Sequence, residues 1–228
     1  MALLSAVATA QAQFLGVAAG DATSTSVVLW TRAVDAAAPA SLALTVDVAT
    51  DAAFVNVVAS AVTSTDANAD WTAKTVVAGL SPATRHWYRF STAGSTSGVG
   101  TFRTAPAASS SAPVRFAFTG DCDGLMRPYA LASVFPGLGL DFFVFLGDTM
   151  YETASSGSLA AALTGTVPTP SATGATPTQL RADYSRKYRE QFLSVNPGGQ
   201  NGLQPLFAAR SEEHTSELQS PCNLVCRL

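Results

Sequence analysis

The chain has 228 residues, 47% of them apolar and 13% charged, with a formal net charge of −3. So much apolar content with so little charge excludes a chain disordered throughout. The sign of the charge argues against a protein that grips nucleic acid by its phosphates, and no apolar run is long enough to span a membrane.

Both ends are set aside before the fold is read. Ala2–Ala10 is a short apolar run, and Ala10-Gln11-Ala12 places small residues where a signal peptidase reads them. Residues 1–12 are therefore expected to be the remnant of a secretory signal cleaved after Ala12, which would make the protein periplasmic or secreted. No basic region precedes the run, and its alternative is a lead-in to the first strand. Residues 210–228 read as a translated sequencing-library adapter, a non-native tail outside the fold. Removing that tail takes away Cys222, Cys226 and His214, an apparent metal set, and leaves a net charge of −2. The one remaining cysteine, Cys122, cannot close an internal disulfide.

Residues 13–104 are expected to be all-β. Strand-like segments rich in Val, Thr and aromatics lie at 14–20, 26–33, 41–49, 54–60, 73–79, 86–93 and 99–104, separated by Asp, Ser, Gly and Pro. Seven short strands over this length match an immunoglobulin-like sandwich. The stretch Leu80 to Tyr88 resembles the corner before strand F of fibronectin type III domains, with His86 where a tyrosine usually closes the corner. His86 is read as a corner or surface residue and not a ligand, and Trp30 as core. Residues 105–113, with Pro at both sides and three consecutive serines, form a linker.

From Val114 the pattern becomes that of an α/β domain over 114–209. A short apolar strand at 114–118 ends in Gly120-Asp121-Cys122-Asp123, and a helix is expected at about 127–134. A second apolar run, 141–146, ends in Gly147-Asp148-Thr149-Met150-Tyr151. Apolar residues on both faces suit a strand covered on both sides. Residues 153–178 read as a loop, and 179–195 as an amphipathic helix with Leu180, Tyr184, Tyr188 and Phe192 on one stripe and solvated Arg181, Arg186, Lys187 and Arg189 elsewhere.

Ligands of open α/β sheets sit at the carboxyl ends of strands, and both Gly-Asp pairs fall there. Converging carboxylates repel unless a cation or a proton stands between them. Tyr151 adds a phenolate, a ligand for a hard trivalent metal. Together these residues suggest a two-metal hydrolase with one ferric ion.

The blocks at 14–33, 115–124 and 141–152 resemble the alkaline phosphatase D (PhoD-like) family along nearly all of 14–209. The resemblance implies an immunoglobulin- or fibronectin III-like N-terminal domain before an incomplete calcineurin-like metallophosphatase domain. It further implies a metal-dependent phosphatase or phosphodiesterase acting on phosphate mono- or diesters through a hydroxide activated by two metal ions, Fe(III) plus Ca(II) or another divalent ion. No protein nucleophile is then required. Asp148 resembles the bridging carboxylate and Tyr151 the ferric phenolate ligand, while Asp121 holds the position of the first strand's ligand. Many family members have Cys at that position, which keeps Cys122 open as a ligand, and Asp123 stands where related enzymes place His, either as a weak ligand or one step behind the metal, or as a residue of a solvated turn. The family's later motifs, an Asn-His-acid block and paired histidines, are absent, so the chain is expected to be an inactive, monomeric piece of the enzyme. The α/β layer is expected to lack covering partners for its apolar strands. Two other readings stand beside this one: a secreted β-sandwich binding module with a degenerate α/β remainder, and a purple acid phosphatase, whose GDxxY motif Gly147–Tyr151 also fits.

Overall fold

Alternation at a period of two builds the first half of the molecule. In β2 (Ser26–Val34) the side chains of Val27, Leu29, Thr31 and Ala33 are buried, while the residues between them are half-exposed. The same rhythm runs through β1 (Gln13–Gly20), β3 (Leu42–Ala49), β5 (Thr72–Ala78), β6 (Arg85–Thr92) and β8 (Gly100–Arg103). The structure, a computed structural model, describes residues 11–120, 129–147, 185, 189, 202–209 and 211–214.

One sheet carries β5, β2 and β1, all antiparallel. The facing sheet runs β4 (Val57–Thr65), β3, β6 and the two-residue β7 (Ser95–Thr96), with β8 also on β6. Between them lies a core of Val17, Leu29, Val46, Val48, Tyr88, Phe90 and Phe102. This is the sandwich read from the sequence, with three corrections. The fourth strand covers 57–65 and not 54–60. The Asp51 carboxylate accepts the backbone N–H groups of Ala53, Val55 and Asn56, and Phe54 adopts a φ of 58°, so 51–56 is a turn. Trp30 lies between the buried positions of β2 and is half-exposed; the buried tryptophan is Trp71, against Leu42, Leu44 and Ala73. Ala12 is buried, and its carbonyl accepts Ser95 Oγ at 2.5 Å.

His86 is likewise inside the core. It is 1% exposed and its ring stacks on Phe102 at 5.0 Å. Neither ring nitrogen has a hydrogen-bond partner. The corner is closed by Thr104 instead, whose hydroxyl donates to the Ser81 carbonyl at 2.6 Å and accepts the Thr84 N–H at 2.9 Å. Thr104 follows β8 directly, so the strand-end hydroxyl reaches back to the turn that precedes β6.

Residues 104–115 hold no strand or helix. Beyond them β9 (Phe116–Thr119), helix α1 (Ala130–Val134), a 3-10 turn (Phe135–Gly137) and β10 (Phe142–Phe145) follow. β9 and β10 are parallel neighbours, pairing Phe142 with Phe116 and Phe145 with Thr119. Phe143 and Phe145 are buried against Tyr129, Phe135, Leu203, Leu206 and Phe207, the last three from in and around α2 (Gln204–Ala209). The opposite face is open: Phe116 and Phe118 are 56% and 65% exposed, with Phe116 stacked on Phe142. Coverage on both faces is therefore not what the described residues show. One layer is present, and the alternate side chains of the apolar runs stand on the uncovered face.

The segment set aside as foreign, Ser211–His214, forms strand β11 between β1 and β10, parallel to both. It joins the two halves into one six-stranded sheet. A strand slot is filled through backbone N–H and C=O groups, and those depend little on which residues supply them.

Polar clasps also join the halves. Gln204 Nε2 donates to the Val17 carbonyl at 2.7 Å, its amide resting against Gly16, where a methyl group would overlap it. Asp141 accepts Arg103 Nη1 at 2.6 Å and the Arg115 N–H at 2.9 Å, and its own N–H donates to the Arg115 carbonyl at 2.8 Å.

Candidate functional site

The carboxyl ends of β9 and β10 lie side by side. The Leu146 N–H donates to the Thr119 carbonyl at 2.7 Å, continuing the ladder one step past the last paired residues. A methyl group at Gly120 would stand 3.4 Å from both the Gly147 carbonyl oxygen and the Leu146 Cβ. Gly147 takes a φ of 111°, which a residue with a Cβ rarely adopts, so glycine is required there by the backbone. Gly120 has no positive φ, and its neighbours leave room for a Cβ. Of the two Gly-Asp pairs, the second alone depends on glycine.

Asp121 follows Gly120 and Asp148 follows Gly147 in sequence. Asp121, Cys122, Asp123, Asp148 and Tyr151 themselves lie outside the described residues. Among the described residues no three His, Cys, Asp or Glu side chains gather as a metal site. The structure thus brings together the two strand ends from which the expected ligands depart.

Arg189 is corrected. It was read as solvated, but its Nη1 donates to Asp70 Oδ1 at 2.7 Å, and that oxygen also receives Arg32 Nη2 at 3.0 Å. Arg32 Nε adds a bond to the Asp70 carbonyl at 3.0 Å. Asp70 and Trp71 both have positive φ, 50° and 61°, so the turn that presents the carboxylate is tightly bent. Helical periodicity carries no information about an acid 119 positions away in the chain.

The electrostatics of the sandwich are local. The N–H groups of Asn56 and Val55, with smaller help from Ala53 and Phe54, hold the Asp51 carboxyl below its usual range. Burial pushes the His86 imidazole down, against the pull of the Ser81 and Ala49 backbones, and pushes the Tyr88 phenol up. The Tyr88 hydroxyl is buried without a partner. None of these groups lies on the β9 or β10 strands.

Residues 2–106 match the family model described as the PhoD-like phosphatase N-terminal domain. Among solved structures, the chain is similar to one described as the structure of PhoD, with 26% identity and a TM-score of 0.69 over 88% of this chain. The chain spans only 38% of that structure. A sensor domain of the anti-sigma factor RsgI4 of Pseudobacteroides cellulosolvens is also similar, at 14% identity and a TM-score of 0.35 over 45% of this chain. No curated protein matches the chain.

Proposed function

We propose, from the premise that residues 2–106 form the N-terminal domain of a PhoD-like phosphatase, that this chain is part of a metal-dependent hydrolase of phosphate mono- or diesters acting outside the cytoplasm. The reaction centre in this reading lies at the carboxyl ends of β9 and β10. One observation carries it: two parallel strands end in contact at Gly120 and Gly147, one residue before each aspartate.

The donor set fits hard cations. Asp121, Asp148 and Tyr151 offer two carboxylates and a phenolate, all oxygen ligands, and would hold one ferric and one divalent ion, calcium among the candidates. Cys122 or Asp123 would complete or support that set. Two such cations supply Lewis-acid polarisation of phosphoryl oxygens and a more acidic water. The chain's own contribution is positional. The β9–β10 ladder fixes the register of the two strands up to Gly120 and Gly147, the residues that precede the two aspartates in sequence, and Gly147 breaks the extended backbone with a φ of 111°. The 228-residue chain alone carries part of the ligand set and does not turn over.

The test uses the longer gene product and this chain side by side on p-nitrophenyl phosphate and its bis ester. The longer product hydrolyses at least one ester. Asp148→Asn abolishes turnover and lowers bound metal, and Tyr151→Phe removes the visible absorption expected of a phenolate on iron. Hydrolysis by this chain alone, or full activity in Asp148→Asn, contradicts the reading.

A further inference from the structure

Strand β11 is a guest in a slot that the rest of the chain builds. β10 offers Phe142–Phe145 on one side and β1 offers Ala19 and Gly20 on the other, both parallel to the segment between them. Helix α2 feeds the slot. Ser211 comes two residues after Ala209, whose carbonyl accepts Thr101 Oγ of β8 at 2.6 Å. The backbone ladder admits Ser211–His214, yet the composition Ser-Glu-Glu-His is foreign to such a place. Strands with parallel neighbours on both sides are as a rule apolar runs, and Glu is depleted in strands.

The register says which positions are wrong. Partners across a parallel ladder share a face, as stacked Phe116 and Phe142 do, and as Ala117 and Phe143 do on the buried side. Position 212 is registered with Phe143 and position 214 with Phe145, both buried in the core around α2. On β1 the residue registered with 212 is Gly20, two places beyond Ala18, which packs on that same core. Position 212 is therefore in core register, between a phenylalanine and a residue without a side chain that leaves room for bulk. Positions 211 and 213 are registered with Phe142 and Val144, on the face where Phe116 and Phe118 are exposed. A charge set beside an apolar core costs free energy unless it is paired.

We infer that the slot between β1 and β10 is a strand-acceptor site for an extended apolar segment, bulky at its second position and apolar at its fourth. Its occupant in the longer gene product is the segment directly after Ala209. That segment is supplied in cis because α2 ends at the mouth of the slot, and the PhoD structure has chain to supply it, since the present chain spans 38% of that structure. Ser211–His214 holds the same slot through its backbone, as a misfit.

Hydrogen exchange of the β10 amides, read by mass spectrometry on the whole chain, reports how firmly the slot is filled. Glu212→Val slows that exchange by about tenfold, the gain from an apolar side chain in core register, and His214→Val slows it by a smaller factor. Glu213→Val, the same chemical change in open-face register, leaves it within about threefold. Glu212→Pro removes a ladder N–H and speeds it by about tenfold, while exchange in β3 and β6 stays unchanged. In the longer gene product β10 is protected at least as well as in Glu212→Val. Neither metal nor ester is needed, so failure of the hydrolase reading leaves these outcomes unaffected. No slowing in Glu212→Val, equal slowing in Glu213→Val, or no response to Glu212→Pro overturns the inference. So does a longer gene product in which the residues after Ala209 exchange as freely as an open loop.

Discussion

Replacing Gly100 with alanine tests the packing of the sandwich at its tightest point. Gly100 on β8 sits directly opposite Tyr88 on β6. Its φ is not in the left-handed region, so the backbone accepts alanine. The space does not, because the new methyl group would overlap Cζ and Cε1 of the Tyr88 ring and crowd its hydroxyl. The ring cannot yield easily, since Tyr88 is fully buried and packed on Phe90 and Phe102. Overpacking of this kind costs about 1–3 kcal/mol. The lower entropy of the unfolded alanine chain returns about 0.4–1 kcal/mol. The net expectation is a loss of about 1–2 kcal/mol. Gly98→Ala supplies the contrast, because nothing lies within 4 Å of the added carbon and its φ is ordinary; it should be neutral or slightly stabilising. Tyr88→Phe removes the unpartnered hydroxyl and raises stability by about 1 kcal/mol. It does not rescue Gly100→Ala, because the overlapped ring carbons remain; Tyr88→Val does relieve the pair. All three tryptophans, Trp30, Trp71 and Trp87, lie in the sandwich, so fluorescence during urea unfolding reports on this half of the chain alone. With a slope of about 1–3 kcal/mol per molar urea, the Gly100→Ala midpoint falls by roughly 0.5–1 M. Equal midpoints for the Gly98 and Gly100 variants would refute the reasoning.

Three further outcomes are expected. His86 has a folded-state pKa below its unfolded value, so below about pH 6.5 the unfolded chain binds a proton that the folded one does not. Stability then falls with decreasing pH, by up to about 1.4 kcal/mol per pH unit, until the folded pKa is reached. His86→Phe flattens this part of the urea-midpoint profile, while the loss in the carboxylate range persists, because Asp51 is held low in the folded chain and takes up its proton first in the unfolded one. Thr104→Val keeps the shape but strands the Ser81 carbonyl and the Thr84 N–H, and lowers stability by about 1–3 kcal/mol in the same assay. Arg189→Ala leaves the tryptophan-monitored midpoint within about 1 kcal/mol, because the bond to Asp70 is partly exposed and Arg32 still holds that carboxylate. A larger shift would mean that this cross-chain bond is a major support of the Asp70 turn.

Much of this architecture was legible because sheets write themselves into sequence at a period of two. Seven of the eight sandwich strands and the parallel strand pair that ends before Gly120 and Gly147 could be read there; the two-residue β7 could not. Two of the errors share one cause. Burial of a particular side chain depends on which face of its strand meets the other sheet, and local spacing leaves that choice open. Trp30 is expected in the core, yet Val27, Leu29, Thr31 and Ala33 already fix the inner face of β2. His86 is expected at a corner or on the surface, yet its neighbours on the same face, Tyr88 and Phe90, point inward. The expected start of β4 comes too early because Phe54 and Val55 look like strand, while the Asp51 carboxylate organises a turn around them. The candidate site was legible as two strand ends. That those ends touch required the β9–β10 register.

The Asp141 clasp has a mechanical consequence. It grips the foot of the β9–β10 pair and ties it to Arg103 of the sandwich, while the expected ligands leave from the top. Four residues of strand separate foot from top, about 13 Å. The sandwich thus serves as a footing and the strand pair as a short mast: loosening the clasp would tilt both tips together and preserve the gap between them.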